Sequence, residues 1–209
     1  TSARDFLEKE CPRAHIRAMM EDEVGYSPDL WKKIADLGWL GLVFPEKYGG
    51  AGMRFRDLTI LCEEMGRTLL PSPFMSTVLL GGMALLTAGT EEQKKEFLPR
   101  IASGDAIFTL AVLEEGGDFW PGGIQLKAAS RGDEYVINGR KIMISEAPSC
   151  DLAVIVAKTG DKFSAFLVER GIPGFDTPNR ENFPGLRSIL VGDLVFTNCR
   201  VPKSNLVGQ

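Results

Sequence analysis

The chain has 209 residues, 44% hydrophobic and 25% charged, the balance of a folded globular protein and not of a disordered or membrane-embedded one. A formal net charge of −4 and a pI near 5.2 exclude the broad basic face of a nucleic-acid platform, while leaving room for a local phosphate pocket. No apolar run approaches the roughly 20 residues of a membrane span, and no charged-then-apolar signal segment opens the sequence, so no membrane span and a cytoplasmic location are expected.

In chain order, Phe6, Leu7, Ile16, Met19 and Met20 mark a first helical segment that Pro12 kinks or splits. Ser27 before Pro28 is a helix start, because a serine oxygen caps free N–H groups and proline suits the first helical position. Leu30, Trp31, Ile34 and Leu37 then repeat at helical spacing up to Gly38, and residues 38–52 form a buried connection ending in a glycine-rich turn. Leu58, Leu61, Cys62, Met65 and Leu69 share one helix face, which Pro71 and Pro73 terminate. A further apolar helix runs from Phe74 to Ala88. Its Gly81 and Gly82 admit a neighbouring backbone or a ligand, helix packing being the plainer reason. Thr90 and Gln93 make a capping box for the next helix, with Phe97, Leu98 and Ile101 facing inward.

After Asp105 the period changes. Ile107 to Val112 reads as a strand covered on both faces. Asn138-Gly139, between Tyr135–Ile137 and Lys141–Ile144, predicts a tight hairpin, and Gly160-Asp161 predicts a second between Leu152–Val156 and Phe163–Val168. Leu190 to Phe196 supplies a late strand. The expectation is an α+β chain: an all-α domain over residues 1–105, then an antiparallel β-barrel, or a sandwich, over residues 106–209. Cys11, Cys62, Cys150 and Cys199 are widely spaced and suggest reduced thiols, with no zinc site or disulfide framework. His15, the single histidine, reads as a packing or surface residue.

Specific phrases accompany this order. GWLGLVFPEKYGGAG, LCEEMGRTLLPSP, GTEEQKKEFLPRIASGD, GDEYVINGRKIMIS, FLVERGIPGF and LVFTNCRVPKSNLVG together resemble the acyl-CoA dehydrogenase family, collinearly over nearly the whole chain. The resemblance implies an N-terminal helical domain and a middle barrel domain, the family's C-terminal four-helix domain being absent. It implies FAD as cofactor, an acyl-CoA substrate, an electron-transfer partner and an oligomer of like or unlike subunits. The implied reaction is α,β-dehydrogenation of an acyl-CoA thioester to the enoyl-CoA. The family's carboxylate base belongs to the last domain or elsewhere, so no catalytic residue is assigned here and the fragment alone is expected to be inactive. The alternative implied is a non-catalytic structural subunit of a heteromeric enzyme.

From the residues alone, a strand end at Leu110–Leu113 can offer backbone groups to a flat polar ring, and Lys141–Ser145 a wall and one hydroxyl. On the family pattern Leu110, Ala111, Val112 and Leu113 take the first flavin strand and Met143, Ile144 and Ser145 the second. Ser145 is the side chain expected to make a polar contact. Three positions depart from the pattern: Leu113 stands for a threonine, Phe119 for a serine with diphosphate or acyl-CoA contacts, and Met143 for a tryptophan beside the ring. Phe119 is the residue assigned to substrate, where with Trp120 it either stacks on an aromatic ligand or packs the barrel edge. Glu114 and Glu115 read as structural, since neighbours on a strand face opposite ways. Arg187 meets a phosphate, a neighbouring subunit or solvent.

Overall fold

A computed structural model describes residues 2–117, 121–185 and 187–208. Six α-helices come first: α1 (Ser2–Glu10), α2 (Arg13–Met20), α3 (Pro28–Asp36), α4 (Phe55–Arg67), α5 (Met83–Ala88) and α6 (Glu91–Ala102). Seven strands follow: β1 (Phe108–Ala111), β2 (Lys127–Arg131), β3 (Glu134–Ser145), β4 (Leu152–Thr159), β5 (Lys162–Glu169), β6 (Phe175–Asp176) and β7 (Val191–Pro202).

The helix ends follow the local chemistry. Ser27 Oγ accepts from Leu30 N at 3.3 Å, and Gly38 takes the left-handed φ of +73° that ends α3. Thr90 and Gln93 form the reciprocal box at α6. The Gln93 amide then spans the molecule, donating to the carbonyls of Ser204 and Leu206 at 2.9 and 2.7 Å. Pro12 splits the first segment into α1 and α2. Two expectations shift. Leu69 lies beyond α4 at φ +51° with its side chain exposed, so it leaves the apolar face. The segment after Phe74 is π-helical over Met75–Gly82 before α5, a widened turn that is frequent at functional sites. That stretch packs on β1, where a Cβ at Gly81 would sit 2.7 Å from Phe108 Cβ. A neighbouring backbone is what this glycine admits.

The strands form one curled sheet in the order β1-β4-β2-β3-β7-β6, with β5 on β4. It is mixed, not strictly antiparallel: β1 runs parallel to β4, Phe108 opposite Leu152, because the chain crosses over between them. Helical residues pack with Phe108, Leu152, Val154 and Leu167 into one core, while Ala111, Ile137, Ile155, Phe166, Leu194 and Val201 are among a second core within the curl. The Gly160-Asp161 hairpin is present, joining Thr159 to its partner Lys162.

The Asn138-Gly139 hairpin is not. Both residues lie inside β3, at a register shift against β7, and the turn is instead at Gly132-Asp133, where Gly132 has φ +60°. Positive φ suits a bulge as well as a type I′ turn. Here Gly139 has φ +137°, and Asn138 Oδ1 accepts from Asn198 N at 2.8 Å.

Candidate functional site

A second bulge shapes the site. Between Lys141 and Ile144 two residues of β3 face one of β7, Asp193. The extra residue leaves a backbone donor without its ladder partner. The buried Asp193 carboxylate takes it, accepting from Met143 N at 3.2 Å while also pairing with Arg140. Met143 is held at φ +58° with its side chain turned out to solvent. Ile142 N is turned onto Leu113 O at 3.0 Å, and Thr109 Oγ1 donates to Ser145 O at 2.7 Å. The structure thereby brings Leu110–Leu113 and Met143–Ser145 side by side. Ala111 and Ile144 lie in the second core and Leu110 packs against the helical one, whereas Val112, Leu113 and Ser145 are half-buried and Met143 is exposed; the two segments side by side make up the shelf. The Ser145 hydroxyl makes no hydrogen bond among the described residues, so it is free to meet a ligand. Phe119 lies outside the described residues.

The shelf is fastened from behind. Glu114 is buried, and its oxygens accept from Gln125 N at 2.8 Å and Leu126 N at 3.0 Å. Lys141, wholly buried, completes the arrangement with Nζ 2.6 Å from Glu114 Oε1 and 3.0 Å from Val112 O. Burial pushes the Lys141 ammonium below its usual range, against the pull of the Glu114 carboxylate. The pair ties together the end of β1, the middle of β3 and the chain returning to β2. Glu114 is structural, as its sequence neighbourhood suggests, although it lies beyond β1 and not in a strand. Lys141 gives no local signal in the sequence, because what identifies it is a partner 27 residues away.

Beside the shelf opens a cavity of about 520 Å³. Its walls are apolar on the helical side, with Met20 of α2, Met65 of α4 and Phe74 and Met75 at the π-helical turn. Ser145 and Glu146 wall the opposite side, so Ser145 borders both shelf and cavity. Over one end the loop after α2 meets the loop before β7. Arg180 Nη1 donates to the carbonyls of Asp22 and Glu23, both at 3.1 Å, and Arg187 Nη2 pairs with Glu21 at 2.5 Å. None of the three expected places for Arg187 was an ion pair within the chain, yet that is what it makes at the rim.

Glu146 was not indicated by the sequence. It is 4% exposed and left-handed at φ +60°, held by Glu146 N to Leu190 O at 2.5 Å and by its own carbonyl accepting from Cys150 N at 2.7 Å. One carboxyl oxygen accepts from Ser149 Oγ at 2.6 Å. No lysine or arginine stands within ion-pair distance among the described residues. Burial raises this carboxyl to about 7, against the weaker pull of Ser149 and of the more distant Arg180 charge. No group of three or more metal-ligating side chains occurs among the described residues, and none of their helices is long and apolar enough to cross a membrane.

Residues 1–105 match the acyl-CoA dehydrogenase N-terminal domain and residues 109–199 the acyl-CoA dehydrogenase middle domain, and the chain belongs to the acyl-CoA dehydrogenase family. Mitochondrial isovaleryl-CoA dehydrogenase of Pongo abelii is 32% identical over 192 residues, covering 87% of this chain and 45% of that protein. Among solved structures, an acyl-CoA dehydrogenase complexed with FAD from Bacillus anthracis superposes with a TM-score of 0.90 at 30% identity, covering 100% of this chain and 36% of its own. The ChsE4-ChsE5 complex of Mycobacterium tuberculosis gives 0.89 at 26% identity, covering 99% and 55%. The chain spans about half or less of the length of several curated relatives, 45% and 36% in two cases.

Proposed function

We propose that the protein serves the FAD-dependent α,β-dehydrogenation of an acyl-CoA thioester, and that this chain holds the flavin side of the site. The observation that carries the reading is the position of Ser145, whose hydroxyl has no partner among the described residues and whose residue also stands in the wall of the apolar cavity. Leu110–Leu113 and Met143–Ser145 suit a flavin: they bring together apolar side chains, the backbone of a strand end and of a bulge, and one hydroxyl without a partner among the described residues, the mix a ring with an apolar body and polar edge requires. Flavin, when bound, supplies the hydride acceptor.

The chain's own residues supply binding, orientation and dryness. Ser145 hydrogen-bonds the ring edge, and Leu113 and Met143 contribute apolar contact where the family pattern has polar or aromatic side chains. Met20, Met65, Phe74 and Met75 exclude water from the acyl group, and the Glu114–Lys141 pair keeps the two shelf segments in register. An acyl-CoA substrate, an electron-transfer partner and assembly with like or unlike subunits belong to the same reading. To test it, the protein in its natural full-length polypeptide is purified and its visible spectrum recorded with added FAD, then with acyl-CoA under anaerobic conditions. A flavin band that bleaches on acyl-CoA is expected, and the absence of any flavin band would sink the reading.

A second reading rests on a different observation. Leu113 and Met143 put no hydrogen-bonding side chain on the shelf, and a structural relative is a complex of two named chains. In it this chain is a non-catalytic subunit completing a partner's site. Stable co-purification with a second acyl-CoA dehydrogenase-like chain, and no flavin without it, would favour this reading over the first.

A further inference from the structure

The Glu146 carboxyl is placed at a cost that no ion pair among the described residues offsets. A carboxyl buried to this extent is ordinarily answered by a cation or by several donors. Glu146 has one donor among the described residues, Ser149 Oγ, which satisfies one of its two oxygens, while the other is not closed off from solvent. The backbone is also bent for it, since φ +60° is uncommon for a residue other than glycine and clusters where placement of a side chain matters. The residue stands in the wall of a cavity that is otherwise mostly apolar, next to Ser145.

The surroundings restrict what the second oxygen can meet. Arg187 is the one cation among the described lining residues, and its guanidinium is already engaged by Glu21. Among the described residues Tyr26 and Cys150 feel the Glu146 charge, and Arg180 acts on it at longer range. An anionic chain end would therefore face a carboxyl and a neutralised arginine. A wholly saturated chain would leave the free oxygen without a partner. A ligand with its own hydrogen-bond donor at that depth satisfies it.

We infer that Glu146 is a specificity-determining residue, selecting an acyl group that carries a hydroxyl within the cavity over an unsubstituted chain or one ending in a carboxylate. The inference rests on the reading of the cavity as an acyl site. A site built around one buried polar group rejects the ligand that leaves it unpaired, which is a larger discrimination than an apolar wall achieves for an added methylene. The ionised form is the stronger acceptor, so selection for the hydroxyl strengthens as pH rises through the neutral range.

The test is calorimetric and does not depend on turnover. The full-length protein, loaded with FAD, is titrated with saturated acyl-CoA esters of one length: unsubstituted, ω-carboxylated, and hydroxylated at successive carbons beyond the β-position. At least one hydroxyacyl-CoA is expected to bind roughly tenfold more tightly than the unsubstituted ester, the size of one buried hydrogen bond to a charged group. Glu146→Leu abolishes that preference. Glu146→Gln keeps part of it, because an amide oxygen still accepts, but removes its dependence on pH, which keeps the test decisive if the leucine variant fails to fold. Equal binding of all esters, tighter binding of the ω-carboxylate, a preference that survives Glu146→Leu or a pH dependence that survives Glu146→Gln would each overturn the inference. Should the wild type bind flavin but no acyl-CoA at all, the acyl reading fails and this inference with it.

Discussion

Two buried carboxylates close the two halves of the shelf, and the fold treats them oppositely. Leu113 runs directly into Glu114, and Ser145 directly into Glu146. Glu114 receives two backbone N–H groups and the Lys141 ammonium. Glu146 receives one hydroxyl. A carboxylate supplied with backbone donors and a cation serves as a fastener. One denied them sits near neutrality and can change state when a ligand arrives. The contrast separates scaffold from site more clearly than burial does, since the two are 6% and 4% exposed.

The strongest way to break this comparison is Lys141→Met. It leaves the Glu114 charge buried without its cation, and removing one partner of a buried pair costs about 3–5 kcal/mol. Adding Glu114→Gln restores neutrality while keeping an oxygen for the Gln125 and Leu126 N–H groups, so the double variant should regain more than half of the loss. Urea unfolding followed by circular dichroism measures both. Equal instability of the single and double variants would mean that charge is not what Lys141 answers.

Glu146 makes stability depend on pH. Its folded pKa, about 7, lies above the ordinary value of 4.5, so the folded state holds its proton over a range where the unfolded chain releases it. The contribution to stability is fully present below about 4.5 and is lost as pH rises to about 7, a change of about 3 kcal/mol in total. The difference between the wild-type and Glu146→Gln stability curves isolates this group from the exposed carboxylates, among them Glu91, whose pKa is lowered to about 2 by Lys47 and Tyr48. Parallel curves across that window would mean that burial does not raise the Glu146 carboxyl.

How far the sequence discloses all this depends on the range of the interaction. Ser27, Thr90 and Gln93 act within a turn of their own helices, and their roles are written in adjacent residues. The order of helices and strands is also legible, while the 110–113 and 143–145 segments are singled out by the family resemblance and not by local pattern. The Asn138-Gly139 turn is misread because the same backbone freedom serves a bulge when β7 continues alongside. The parallel β1–β4 pair is invisible locally, as each strand is equally apolar in either direction. Lys141 and Glu146 are hidden for a related reason: a lysine in a strand or a glutamate in a turn is ordinarily solvated, and only three-dimensional packing removes them from water.

Smaller effects probe the shelf itself. Under the flavin reading Ser145→Ala removes the one free hydroxyl and weakens FAD binding by about 0.5–1.5 kcal/mol, measured by titrating apoprotein fluorescence, with little change in folding stability. The Ser145 backbone carbonyl still accepts from Thr109, so the strand stays in place. Unchanged affinity would remove Ser145 from the ligand face.

Leu113→Thr asks the converse question at the residue that meets Glu114. The Leu113 carbonyl is fixed by Ile142 N at 3.0 Å and the next residue by the Lys141 pair, so the backbone that would carry the new hydroxyl is held from both sides. A threonine there adds a donor on a half-buried position without opening a large cavity. FAD affinity should rise by no more than about 1 kcal/mol, the net worth of one hydrogen bond exchanged with water. A gain would show that the scaffold of the Glu114 side still presents its strand to the ligand and that only the side chain has changed. A loss would show that the leucine side chain itself packs the ring, and that this half of the shelf has been rebuilt around an apolar contact.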